Sequence, residues 1–144
     1  MNSLCPCGSG RLYEDCCRLY HKGIFPENAL LLMRSRYSAY ALCLPSYIIE
    51  TTHPDHSEFS LDFDQWKEKI ILFSQNTTFE RLEILDFIDG EDKALVAFSA
   101  YLRQGEDDVG FKETSHFEKV GGKWLYKGGR VEKLCDPQKE THSF

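Results

Sequence analysis

The chain has 144 residues, of which 42% are apolar and 28% charged. That suits one globular domain plus a small extra element, and excludes two full domains or a disordered chain. The formal charge is −6, and residues 50–108 hold fifteen Asp and Glu against five Lys and Arg, which weighs against nucleic acid as a partner of the main domain.

The first element is a cysteine run. Cys5, Cys7, Cys16 and Cys17 fall within thirteen residues as C-x-C, an eight-residue spacer and C-C. Four thiolates with no open position are a common structural zinc set. Two disulfides or four unligated thiols are the competing readings, but adjacent Cys16 and Cys17 cannot easily bridge, and a C-x-C bridge is strained. Gly8-Ser9-Gly10 suits a tight turn whose N–H groups can reach sulfur. The pattern Cys5-x-Cys7-x-Ser9-Gly10, then Tyr13, then Cys16-Cys17, resembles the SEC-C motif, which is also found at the C-terminus of the preprotein translocase ATPase. The resemblance implies that the four cysteines are zinc ligands, with His21 a conceivable substitute in a mixed site. Four thiolates and one Zn²⁺ would take the formal charge to about −8. Unpaired Cys43 and Cys135 beside such a cluster fit a reducing compartment. No signal-peptide h-region is visible, and no apolar run approaches the roughly 18 residues needed to span a bilayer. A cytoplasmic protein without membrane insertion is expected.

Lys22-Gly23-Ile24-Phe25-Pro26 reads as a linker ending at a helix start, with Pro26 and Glu27 as the signals. Leu30, Met33, Tyr37, Ala41 and Leu44 recur at helical spacing and predict an amphipathic helix over 29–44, stopped by Pro45. Tyr47-Ile48-Ile49 begins a short second segment, which Thr51-Thr52-His53-Pro54 ends. Asp62 or Asp64 can cap a third helix carrying Trp66, Ile70 and Phe73. The period then changes to two. Residues 79–87, 94–103, 111–120 and 123–127 read as four strands, separated by Asp89-Gly90, 105–108 and Gly121-Gly122. Helices followed by an antiparallel meander predict an α+β domain with the helices packed on one sheet face. The tail from Lys133 to Phe144 is polar, without period, and expected to be mobile.

A second resemblance covers nearly the whole chain. Leu32-Met33-Arg34-Ser35-Arg36-Tyr37-Ser38-Ala39-Tyr40, Thr52-His53-Pro54, the trio Glu113, Ser115 and Phe117, and Trp124 with Tyr126 resemble the YchJ-like family of bacterial proteins. The resemblance implies a SEC-C element over 1–23 and a nuclear transport factor 2-like domain over 24–132, a cone of helices wrapped by a curved sheet. Residues 133–144 form the tail. Many relatives carry a second SEC-C copy there, but this chain has only Cys135. The family name implies architecture more than activity.

Inside such a cone, Glu113, Ser115 and Phe117 share one strand face by parity, and His116 faces away. Arg34, Arg36, Tyr37, Tyr40 and Trp124 complete a candidate pocket for a small molecule. The competing reading is that Arg34 or Arg36 makes a buried pair with Glu113, Arg36 being the choice, while the aromatics fill the core. His53 and His56 offer acid–base groups on a loop. However, no nucleophile elbow, phosphate loop or open metal site is present. The expectation is therefore a zinc-stabilised, non-enzymatic module whose SEC-C element contacts another protein; the alternative is a ligand-binding or catalytic cone.

Overall fold

The computed structural model describes residues 3–133. A 3-10 turn (Tyr13–Asp15) and α1 (Cys17–His21) belong to the cysteine element. Then come α2 (Ala29–Ala41), α3 (Pro45–Glu50), α4 (Phe63–Gln75), β1 (Thr78–Ile88), β2 (Lys93–Gln104), the two-residue β3 (Asp107–Asp108), β4 (Phe111–Val120) and β5 (Lys123–Lys133). The strands form one open antiparallel sheet in the order β1-β2-β4-β5, with β3 added at the end of β2. The α+β architecture follows from this order of helices and strands. Of the predicted tail, Lys133 ends β5, and Cys135 with the rest lies outside the described residues.

The ends of α2 have local causes. The Asn28 carboxamide oxygen accepts the Leu31 N–H at 2.9 Å, a cap that the Pro26–Glu27 signals did not reveal. At the other end Leu44 N–H donates to Ala39 O at 2.8 Å and Cys43 N–H to Tyr40 O at 3.2 Å, with Cys43 at φ 57°. This paired pattern closes a helix through a left-handed residue. So α2 stops at Ala41 rather than Leu44, and Pro45 opens α3, where its missing N–H is not needed. Asp62, not Asp64, caps α4 by accepting the Gln65 N–H at 3.1 Å.

The predicted one-sided stripe on α2 needs correction. Leu32, Met33 and every residue from Ser35 to Tyr40 are buried, so α2 is enclosed on nearly all sides. It packs on β1, β2 and β5, on α3 and α4, and on α1 of the cysteine element. A helix wrapped in this way has no solvent face for a stripe to contrast with. Its partners in the core include Val96, Phe98, Leu102, Phe111 and Tyr126. Each such apolar side chain contributes about 1.5–3 kcal/mol when fully buried.

Along β4, Phe111, Glu113, Ser115 and Phe117 turn inward and His116 is exposed. The β4–β5 hairpin closes on Gly121-Gly122, at φ 57° and 82°, the positive pair that a tight two-residue turn needs. Strand β5 runs six residues beyond the predicted Lys127. Phe117 faces Tyr126 but His116 faces Gly128, so Lys127 is an extra residue and the strand changes parity there. Such a bulge re-aims the residues beyond it. Tyr126 and Gly129 both end up against Glu113, and a Cβ at Gly129 would collide with the Glu113 carboxylate. Gly129→Ala is expected to cost about 1–3 kcal/mol by overpacking. Chemical denaturation with an unchanged m-value is the check; an unaltered midpoint would mean the carboxylate moves aside freely.

Candidate metal centre and buried polar cluster

The cysteine element folds on its own short contacts. Cys5 N–H donates to Arg11 O at 2.8 Å and Tyr13 N–H to Ser3 O at 2.9 Å, pulling the two thiol pairs together. The four Sγ atoms lie within 4.8 Å of one another, with Cys7 and Cys16 at 3.7 Å. Four sulfurs at about 2.3 Å from a tetrahedral metal would stand about 3.8 Å apart, so the donor set fits a thiophilic ion. Cys5, Cys7 and Cys17 are buried, and all four are free of disulfides.

Polar groups surround the sulfurs. The Ser9 hydroxyl lies 3.1 Å from Cys16 Sγ and Ser38 Oγ lies 3.3 Å from Cys5 Sγ. Gly8 N–H goes to Cys5 O at 3.3 Å, so the described polar contacts to sulfur come from side chains rather than from that turn's backbone. Arg34 Nη1 donates to Cys7 O at 2.8 Å and stands 4.0 Å from Cys7 Sγ. Hydrogen bonds from Cys17 and Cys7, aided by Ser38, hold the Cys5 thiol far below its ordinary range. The same bonds, given by Cys17 as donor, push Cys17 up, and burial adds to it. A cation bound here would take the place of the thiol protons.

His21 is not among the sulfurs. One ring nitrogen, Nε2, is 2.8 Å from Ser35 O, which can only accept, so it carries the proton. Nδ1 then accepts the Tyr13 hydroxyl at 2.8 Å, and the ring stands edge-on to Tyr47. Burial lowers the His21 pKa, consistent with a neutral strut from the cysteine element to α2.

The eight residues predicted for the cone do not meet in one place. Arg34 is the clear correction: it reaches back to Cys7 and not into the cone. Arg36 is buried, with Nη1 donating to Thr51 Oγ1 at 2.7 Å, Ile48 O at 3.1 Å and Thr52 Oγ1 at 3.2 Å. Its guanidinium lies 4.5 Å above the Tyr126 ring. The Tyr126 hydroxyl donates to Glu113 Oε2 at 2.6 Å, and Ser115 Oγ donates to the same oxygen at 2.5 Å. Phe117 also packs on Tyr126, with ring centroids 5.6 Å apart. Arg36, Glu113, Ser115 and Phe117 thus gather around Tyr126. Tyr37 stands edge-on to Phe79, Tyr40 to Phe73, and Trp124 Nε1 donates to Glu27 O at 3.3 Å, beside the start of α2. Burial pushes Tyr40 up to about 12, so it stays protonated.

The space beside Arg36 is small. A cavity of about 10 Å³ lies among Arg36, Tyr40, Thr52, His56, Trp66 and Tyr126, room for about one water. A larger groove of about 770 Å³ opens on the far side of Tyr40 and Trp66, between Phe59, Phe73, Lys69 and Gln104.

Both loop histidines are held by hydrogen bonds. His53 Nε2 lies 2.9 Å from Glu118 Oε1, and its backbone N–H donates to Tyr126 O at 2.8 Å. Hydrogen bonds from Lys127 and then His53 hold the Glu118 carboxyl below its usual range. His56 Nδ1 accepts the Glu58 N–H at 3.0 Å while its ring packs on Tyr126. Burial, then the Arg36 charge, lowers the His56 pKa from 6.5. The folded state keeps His56 neutral, whereas the unfolded chain takes up its proton near pH 6.5. Its contribution is whole above that pH and is lost as pH falls through the lower folded value. Urea unfolding at pH 7.5 and 5.5 is expected to show a smaller loss on acidification in His56→Gln than in wild type. Equal losses would contradict this.

Tyr126, Thr51, Thr52 and Ile48 O were absent from the predicted site. The Thr51-Thr52 pair reads as a helix stop, because both hydroxyls also bond back into α3, to Tyr47 O and Ile48 O. The signal for Tyr126 was the glycine pair after it, which permits the bulge.

Together these features define an α+β domain of the nuclear transport factor 2-like type, carrying a four-cysteine centre that suits a metal ion. The chain belongs to the YchJ-like family: residues 28–129 match the model described as "YchJ, middle NTF2-like domain", and residues 1–19 match the SEC-C motif. Among solved structures, it is similar to a SEC-C motif containing protein from Rhodopseudomonas palustris, with 32% identity and a TM-score of 0.74 over 90% of this chain and 98% of that one. A SEC-C motif containing protein from Psychrobacter arcticus matches at 27% identity and a TM-score of 0.70, over 97% and 84% of the two chains. An NTF2-like family protein from Streptomyces avermitilis shares the fold at 11% identity and a TM-score of 0.51, over 76% and 96%. No helix among the described residues is long and apolar enough to cross a membrane.

Proposed function

We propose that this chain is a non-enzymatic protein-interaction module in which Cys5, Cys7, Cys16 and Cys17 hold one structural zinc ion. Zinc suits four thiolates with no open position, and here it supplies cross-linking rather than reactivity. The observation that carries the binding role is at the edge of the cysteine element. Leu19, Ile24 and Phe25 are exposed on α1 and the linker after it, interspersed with exposed Arg11, Arg18 and Lys22. Apolar side chains rimmed by charge are the usual surface of a protein partner site. The filled space around Arg36 favours packing over binding for that cluster. We place the protein in the cytoplasm, where free thiols persist.

Capture from native lysate with wild type and with Leu19→Glu/Ile24→Glu tests this. A protein retained by wild type, lost with the double variant and bound directly once purified supports the reading. Equal retention by a variant that keeps its zinc overturns it. The groove beside Tyr40 and Trp66 supports a second reading, a small-molecule site lined by aromatic rings. A ligand whose binding is lost in Trp66→Ala but kept in Leu19→Glu/Ile24→Glu would favour that one.

A further inference from the structure

The sulfurs take part of their surroundings from outside the cysteine element. Arg34 and Ser38 are four residues apart on α2, so they lie on one face of that helix. That face meets the thiols: Ser38 Oγ is 3.3 Å from Cys5 Sγ, and Arg34 Nη1 is 4.0 Å from Cys7 Sγ while bonded to Cys7 O. Ser38, Cys5 and Cys7 are all buried, so water cannot take the place of these donors. Four thiolates and a divalent ion carry a charge of −2, which is costly in such surroundings unless donors or a cation face it.

We propose that Arg34 and Ser38 are positioning residues of the metal centre, so that the nuclear transport factor 2-like domain sets part of its metal affinity. Ser38 donates its hydroxyl proton to the Cys5 thiolate. Arg34 orients Cys7 through its carbonyl and offsets the charge on its sulfur. The cysteine element supplies the ligands and α2 the outer donors, making one centre from two parts of the chain. This rests on the zinc reading above, and the test separates the two.

The full-length protein is loaded with zinc and titrated with a chromophoric chelator at fixed pH. Ser38→Ala and Arg34→Gln are each expected to weaken zinc about 10-fold or more, the range for lost outer partners of metal ligands. Arg34→Lys keeps the charge and should recover part of the loss. In the cobalt-loaded protein, Ser38→Ala should shift the sulfur-to-metal charge-transfer band. Ser35→Ala is the control: Ser35 is on the same helix as Ser38, but its hydroxyl bonds Leu32 O and the Tyr47 hydroxyl of α3 without touching a sulfur. It should leave zinc affinity unchanged even if it lowers the unfolding midpoint. Affinities within about two-fold of wild type in both Ser38→Ala and Arg34→Gln, or an equal loss in Ser35→Ala, would overturn the proposal. A wild-type chain that binds no zinc at all would instead remove the zinc reading itself, and this inference with it.

Discussion

Glu113→Ala is expected to destabilise the folded chain by about 3–5 kcal/mol, the cost of taking the carboxylate out of a buried cluster that also holds a guanidinium. Among the buried described residues, Arg36 is the one Arg or Lys and Glu113 the one Asp or Glu. Both reach the same ring, Arg36 over the face of Tyr126 and Glu113 on its hydroxyl. Removing the carboxylate would leave two buried hydroxyl donors, those of Ser115 and Tyr126, without their acceptor, and the Arg36 charge in the core with no carboxylate among the buried described residues. Glu113→Gln keeps an acceptor but not the charge, so it should fall between wild type and Glu113→Ala. The companion experiment is Arg36→Met with Glu113→Leu. Replacing both partners by apolar groups removes the stranded charge, so the double variant should be more stable than the sum of the single losses. Calorimetric or urea unfolding of the four proteins closes the cycle. Additive losses would mean that the two ions do not support each other, and an unchanged midpoint in Glu113→Ala would exclude a structural role for the carboxylate.

How much of this was readable beforehand depends on the range of the interaction. The cysteine cluster was legible because all four thiols sit within thirteen residues, where spacing alone constrains geometry. The sheet was legible because its inner face alternates and its turns need glycine: Gly121-Gly122 marks a hairpin with no knowledge of the rest. The enclosure of α2 was not, since periodicity detects a contrast between wet and dry faces and this helix has almost none. The separation of Arg34 from Arg36 was within reach. Residues two positions apart on a helix are rotated by about 200°, so the pair could not both enter the cone. What no sequence pattern supplied was the far partner of each: the cysteine cluster for Arg34, and Tyr126 for Arg36. Tyr126 pairs with Phe117 just before the bulge at Lys127, and it is the bulge that brings Gly129 to the same carboxylate, a matter of strand pairing with β4.

Stripping the metal is expected to lower the thermal midpoint while leaving the sheet in place. Cys5, Cys7 and Cys17 form a small cluster of their own with Tyr13 and Cys16, separate from the main core. The antiparallel ladders include none of these residues, so far-ultraviolet circular dichroism of the strands should survive chelation. The cysteine element is nonetheless tied to the domain, by His21 to Ser35 O, Arg34 to Cys7 O and Ser38 to Cys5. Loss of the ion should therefore loosen α2 as well as the element itself. With free zinc at about 100 times its dissociation constant, linkage alone is worth about 2.7 kcal/mol. For a chain of this length that corresponds to a fall of roughly 10 °C. Cys7→Ser, which removes a fully buried ligand, should reproduce most of the drop without chelator, and added zinc should not restore it. If apo and holo protein melt together, the ion is not part of the folded unit. If the strand signal collapses along with the metal, the cysteine element is holding the domain itself, because β1 lies directly beneath it: a Cβ at Gly8 would touch Leu82 O at 3.4 Å.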